Sequence, residues 1–267
     1  MGPNGAAALT KAMLPLPVRK LDLSLNSLGD ESAVALTRAV LSIPTLKHLY
    51  LASNGIGLTG VMELSKCLPN LLTLDLSSSP QHPWGNRVDG ATCAALSRAL
   101  CRPTSLTSLD LSGNPLGAGT SGSKATELLA VMLTKYNRTL DSLNLSRTEL
   151  GTRGGATILA ALAHNRSVRH LALAGNGIGP DIGKAIEVVF RVNHVLCGLN
   201  LAHNPLGGAV ARFSDALSAN PSIVVLDLED VAAGDEGASE IAHVLVANRS
   251  ITVLSLANNN ITERYGQ

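Results

Sequence analysis

Aromatic side chains are almost missing from this sequence: one Trp, three Tyr and two Phe serve 267 residues. A compact enzyme of this length draws on such rings to fill its core. The core here must instead be aliphatic, and 45% of the residues are apolar. An excess of one charge is missing too. A formal net charge of +1, with Lys and Arg scattered, gives no field to gather nucleic acid or an anionic membrane. The four cysteines (Cys67, Cys93, Cys101, Cys197) form no CxxC pair, and the seven histidines form no HxxxH or HExxH pattern. No metal site, cofactor or disulfide framework follows from them, and reduced thiols point to a cytoplasmic protein. No apolar run reaches the roughly 18 residues of a membrane span. The opening MGPNGAAALTKAMLPLP carries Lys11 inside its apolar part and does not read as a signal peptide.

What is present is a repeat. LTSLDLSGNPLG starts at Leu106, VRHLALAGNGIG at Val168, LCGLNLAHNPLG at Leu196 and ITVLSLANNNIT at Ile251. Variants start at Val18, Leu46, Leu71, Leu140 and Ile223, which makes nine copies separated by 28, 25, 35, 34, 28, 28, 27 and 28 residues. Each copy alternates through Leu-x-Leu with the period of a half-buried strand. A turn follows, and then helical spacing, as in GATCAALSRALCRPTS, where Ala91, Ala95, Leu96, Ala99 and Leu100 share a face. One strand–helix unit cannot bury its own apolar face, so the units must stack.

The nine copies resemble leucine-rich repeats of the ribonuclease-inhibitor type. That resemblance implies an α/β solenoid, a horseshoe with a parallel sheet on its concave face and helices on its convex face. Stacking distances agree, since strands sit about 4.8 Å apart and helices about 8–10 Å. Residues 1–17 are expected to form an N-terminal capping segment and 18–267 the repeat domain, its last repeat incomplete and without a C-terminal cap. The resemblance also implies a ladder of buried asparagines at the ninth repeat position: Asn26, Asn54, Asn114, Asn176, Asn204 and Asn259. Ser79, Thr148 and Val231 depart from it. Ser and Thr can supply part of the bonding, whereas Val231 cannot, which predicts an irregular turn in the eighth repeat. Asn137, Asn144, Asn165, Asn248 and Asn260 match the glycosylation pattern and read as by-products of a repeated turn.

The two long steps are consecutive. The first excess is PQHPWGNRVDG, which holds the single Trp, and the second is GAGTSGSKA after Leu116. Both lie between a strand and its helix, so they are expected as neighbouring loops on one edge, with His82, Trp84, Arg87 and Lys124 as partner contacts. Trp84 either anchors a partner or folds back over its own repeat. The glycines Gly117, Gly119 and Gly122 match GxGxxG. However, SGNPL separates them from the strand, whereas a dinucleotide-binding turn follows its strand at once.

The residues between the leucines line the concave face: Lys20, His48 and His170 in one row, Asp22, Tyr50, Asp75, Asp110 and Asp227 in the other. His48 and His170, four strands apart, are about 19 Å from each other and cannot share a metal. The carboxylate strip suits a partner with a basic surface, or serves as solvated filler. The last strand would leave an open edge that favours docking on another subunit or continuation in a longer chain. These readings favour a non-enzymatic protein–protein interaction module, a scaffold or adaptor in a larger assembly. Regulation of a Ran-like GTPase, and an inhibitor or sensor domain, are the alternatives.

Overall fold

A computed structural model describes residues 3–14 and 16–262. Nine three-residue strands form one parallel sheet in chain order: β1 (Lys20–Asp22), β2 (His48–Tyr50), β3 (Thr73–Asp75), β4 (Ser108–Asp110), β5 (Ser142–Asn144), β6 (His170–Ala172), β7 (Gly198–Asn200), β8 (Val225–Asp227) and β9 (Val253–Ser255). Between them run α2 (Gly29–Ser42), α3 (Leu58–Leu64), α4 (Gly90–Leu100), α5 (Gly119–Val131), α6 (Gly151–His164), α7 (Gly183–Val192), α8 (Ala209–Ser218) and α9 (Gly234–Ala247). The α/β solenoid expected from the repeat is therefore the fold. Ahead of β1, helix α1 (Pro3–Met13) buries Ala6 and Met13 in the same core. The expectation that no closing helix follows β9 falls partly on 263–267, outside the described residues.

The register is uniform. Lys20 pairs with His48, His48 with Thr73, Thr73 with Ser108, and so on to Val253, while the Leu of each strand centre pairs with the next. Inside the stack the leucines of the strand segments are sealed: Leu46, Leu49 and Leu51 are fully buried, as are Leu106 and Leu111. Phe190 and Phe213 join this aliphatic spine edge-to-face, ring centroids 5.6 Å apart, and link α7 to α8.

The turns after the strands are built on asparagine. Asn54 Oδ1 accepts from the N–H groups of Asn26 and Leu28 one repeat earlier, and its amide donates to Leu23 and Ala52 carbonyls. Asn176, Asn204 and Asn259 bond the preceding turns in the same way. Each amide thereby satisfies main-chain groups buried away from water.

The third repeat corrects the sequence reading. Asn86, not Ser79, completes the ladder there. Its Oδ1 accepts from Asn54 N and Ile56 N at 3.0 Å each, and its amide donates to Leu51, Leu76 and Ser77 carbonyls. The excess of that repeat is a loop bulging out before the ladder residue.

The two remaining departures follow a rule. Thr148 and Val231 each succeed a repeat whose turn reads Asn-Pro-Leu-Gly. In those turns Leu116 N donates to Asn114 O at 2.8 Å and Leu206 N to Asn204 O at 2.7 Å. This i to i+2 bond is a γ-turn, and it satisfies the N–H that a neighbouring amide would otherwise take. Thr148 keeps part of the bonding through Asn176 Oδ1. The eighth repeat has no irregular turn: Asp230 and Ala232 hold the same left-handed conformation as their counterparts Asn258 and Asn260. The adjustment sits one repeat earlier.

The second excess also differs from expectation. GAGTSGSKA makes no loop. Helix α5 starts at Gly119 and continues as a five-residue π-helical turn, Met132–Tyr136, which absorbs the extra residues as helix length. Lys124 is an exposed position on α5 rather than part of an edge loop. The glycines serve packing, since a Cβ on Gly122 would run into Gly117 and one on Gly117 into the Glu149 carbonyl.

A second asparagine ladder closes the other end of the helices. Asn165, Asn193, Asn220 and Asn248 each accept from two N–H groups of the chain entering the next strand. Their amides donate to the helix end one repeat back: Leu133, Leu162, Phe190 and Leu217 carbonyls. Asn137 begins this ladder, and its amide nitrogen is buried without a partner among the described residues. Repeats 1 to 3 have Pro44, Pro69 and Pro103 at the corresponding turns.

Candidate functional site

The concave face is set by the strand pleat, which turns the residues flanking each central Leu away from the core. At its N-terminal end the Lys20 ammonium lies 4.6 Å from the Tyr50 ring centroid, a cation–π contact. His48 Nδ1 meets Thr73 Oγ1 at 3.0 Å.

The acidic row has a structural task. Asp22, Asp75, Asp110 and Asp227 each accept, through Oδ1, from the N–H two residues on, at 2.8–3.1 Å, and Asn144 and Asn200 do the same. Each side chain therefore pins the turn that leaves its strand. Asp110 Oδ2 accepts from Asn144 Nδ2. Burial pushes the Asp75 carboxyl above the usual carboxylate range, helped by repulsion from Asp110 and Asp22 and opposed by its bonds from Ser77.

Further along, the floor drops. Ala172 and Gly198 leave a depression of about 380 Å³ that runs from Ser108 and Asp110 to Val225 and Asp227. The His170 imidazole lies over Gly198, where an added Cβ would come within 2.7 Å of Nδ1. Val225 and Val253 stand exposed on this floor. The depression opens at the strand ends into a recess of about 320 Å³ that includes Ser112, Ser146, Arg147, His203 and Glu229. Arg147 and His203 belong to a row of left-handed residues just ahead of the ladder, with φ of 55° and 56°. Both side chains line the recess. Sequence reasoning missed Arg147 and His203. The signal was the eighth repeat position, where Ser53, Gly113, Gly175 and Asp230 also hold positive φ.

Trp84 does not fold back. It is 52% exposed, on a loop whose stem is fixed at both sides. Ser79 N donates to Ser53 Oγ, Gly55 N to the Trp84 carbonyl, and Ser78 Oγ to the Asn86 carbonyl. Pro80 and Pro83 restrict its backbone further. His82 is half-buried beneath, its Nδ1 3.4 Å from Trp84 N, and Arg87 is exposed. The two candidate surfaces are distinct: the loop stands on the rim of repeat 3, the depression on the floor of repeats 4 to 8.

Burial pushes the Cys67 and Cys93 thiols up to about 12, which leaves them protonated. Among the described residues no group of three or more His, Cys, Asp or Glu could hold a metal ion, and no helix is long and apolar enough to cross a membrane.

The family described as Leucine Rich repeat matches residues 17–36, 42–65, 102–119, 136–159, 164–186 and 247–263. The Trp84 loop falls in a gap between matched segments. The chain is 30% identical over 207 residues to NACHT, LRR and PYD domains-containing protein 5 of Bos taurus, covering 75% of this chain and 18% of that protein. It is 26% identical over 297 residues to the ribonuclease inhibitor of Sus scrofa, covering 97% of this chain and 62% of that one. The chain thus spans less than two thirds of the length of either relative. The crystal structure of LegL7 from Legionella pneumophila superposes with a TM-score of 0.58 at 22% identity, over 91% of this chain and 76% of that one. Repeat spacing, nine in-register strands and these matches lead to one conclusion: the chain belongs to the leucine-rich repeat proteins, in their ribonuclease-inhibitor-like form.

Proposed function

We propose that this chain is a non-enzymatic scaffold or adaptor that holds a protein partner between its concave floor and the Trp84 loop. The observation that carries the reading is a large aromatic side chain held half-exposed on a braced loop. Ordering such a loop before binding removes part of the entropy cost of association, and a rigid aromatic is a common binding anchor. The carboxylates of Asp22, Asp75 and Asp227 on the concave face favour a basic partner surface beside Tyr50, His170 and Val225. The β9 face is a further docking surface: Val253 is 54% exposed and Leu254 and Leu256 are partly exposed, while Leu226 and Leu228 are sealed. Assembly there makes the chain part of a larger complex, and light scattering of a stable monodisperse monomer would count against it. We place the protein in the cytoplasm, where its thiols stay reduced.

Affinity purification with quantitative mass spectrometry tests the main reading. A partner captured by the wild type is expected to be lost with Trp84→Ala and weakened with Asp75→Asn combined with Asp227→Asn. Identical capture by all three proteins would overturn it. The similarity to the Bos taurus protein supports a second reading, a sensor segment of a longer chain, which the same experiment addresses by naming the partner.

A further inference from the structure

The other irregular repeat has built a surface on the opposite, convex side. Helix α5 and its π turn run without a break from Gly119 to Tyr136, while the neighbouring α6 ends at His164. The π turn is fully supported. Asn137 N reaches back to Met132 O, and the carbonyls freed at Leu133 and Thr134 accept from Arg138 and Asn165. Between the two helices lies a shallow groove of about 640 Å³. Ala130, Ala160 and Ala161 form its floor, and Val131, 40% exposed, its wall. Tyr136, 56% exposed, closes the π turn. The two threonines along the groove turn their hydroxyls back onto Ala130 and Arg153 carbonyls and so leave their methyl groups to line it.

Charge is placed at the two ends. Lys135 and His164 stand at one, Glu127 about two turns away at the other. Among the described residues none of the three has an ion-pair partner. We infer that this groove receives an amphipathic helix of a protein partner, its apolar i, i+3/i+4, i+7 face over Ala130 and Ala160. A carboxylate at one end of that helix meets Lys135 and His164, and a Lys or Arg at the other meets Glu127. A lipid surface fits less well, because the groove carries a carboxylate at one end. The site lies on the face away from the concave floor and does not depend on what binds there.

Two fluorescein-labelled helical peptides of about 18 residues test the inference. Both present a Leu face; one has Glu at one end and Lys at the other, and the second has Lys at both ends. Anisotropy is expected to show the Glu/Lys peptide binding wild type about tenfold more tightly than the all-Lys peptide. Lys135→Glu is expected to reverse that order, and Ala160→Arg, at an exposed position, to abolish binding of both. Absence of binding, or equal binding that ignores Lys135→Glu, overturns the proposal. Two other outcomes also overturn it by naming a different occupant. One is a wild-type dimer that Ala160→Arg dissociates in light scattering. The other is retention on phosphatidylserine vesicles that the same substitution removes.

Discussion

Removing the Asn86 amide strips the acceptor from Asn54 N and Ile56 N in a turn that water does not reach. Each buried N–H left unpaired costs about 1–3 kcal/mol, so Asn86→Ala is expected to lose about 3 kcal/mol in urea unfolding. Ser79→Ala is expected to lose under about 0.5 kcal/mol, because the Ser79 side chain makes one long bond, 3.4 Å from Gln81 N. Equal effects would return Ser79 to the ladder. Asp75 presents a different balance. Its carboxyl holds a proton more tightly folded than unfolded, where Asp titrates near about 3.9, so its contribution to stability falls as pH rises through the folded value. Asn at this position keeps an acceptor for Ser77 N, as Asn144 does for Ser146 N. Asp75→Asn is therefore expected to melt above the wild type at neutral pH, the advantage shrinking as pH falls toward the unfolded carboxylate range. A lower melting temperature at neutral pH would contradict this account.

Among elements, the glycines separate packing from function. A Cβ at Gly117 meets backbone, the Glu149 carbonyl and Leu150 Cα, neither of which can step aside cheaply. Gly117→Ala is expected to cost about 1–3 kcal/mol in denaturant unfolding. At Gly198 the obstacle is the movable His170 ring. Gly198→Ala should leave stability within about 0.5 kcal/mol while shifting the His170 imidazole resonances in NMR spectra; unshifted resonances would mean the ring does not rest there. The strands and their rows were legible from Leu-x-Leu alone, because a two-residue period leaves no freedom of face. The insertions were less so. Asn86-Arg87-Val88 repeats the Asn-x-apolar signature after the bulge, yet the position count from Leu71 pointed to Ser79. GAGTSGSKA carries three glycines and two serines that favour a loop, and tertiary packing against Gly90 and Gly117 overrides that preference. The second ladder was visible only as glycosylation patterns at Asn137, Asn165 and Asn248, whose spacing of one and then three repeat lengths tied them to the repeat without revealing that each caps a helix.

Across the whole molecule, the two ladders divide the solenoid unequally. Turns after the strands carry the asparagine ladder along most of the chain, but among the described residues the turns after the helices do so only from Asn137 to Asn248. In a stacked array stability is a sum of units and their interfaces, so the segment braced at both edges should open last. Asn193 at the end of α7 donates to Leu162 O at the end of α6 and accepts from Leu196 N at the entry to β7, so its side chain ties one helix end to the helix end before it and to the strand after it. Such bonds are worth about 1 kcal/mol net, and more where breaking them strands a buried group. Hydrogen exchange is therefore expected to be slowest for β5 to β8 and faster, by about tenfold or more, for β1 and β2. Asn193→Ala should speed exchange in repeats 5 to 7 together, since its side chain bonds the end of repeat 5 and the start of repeat 7, while leaving β1 and β2 unchanged. If β1 and β2 prove as protected as β6 and β7, packing alone sets the order of opening and the second ladder has no part in it.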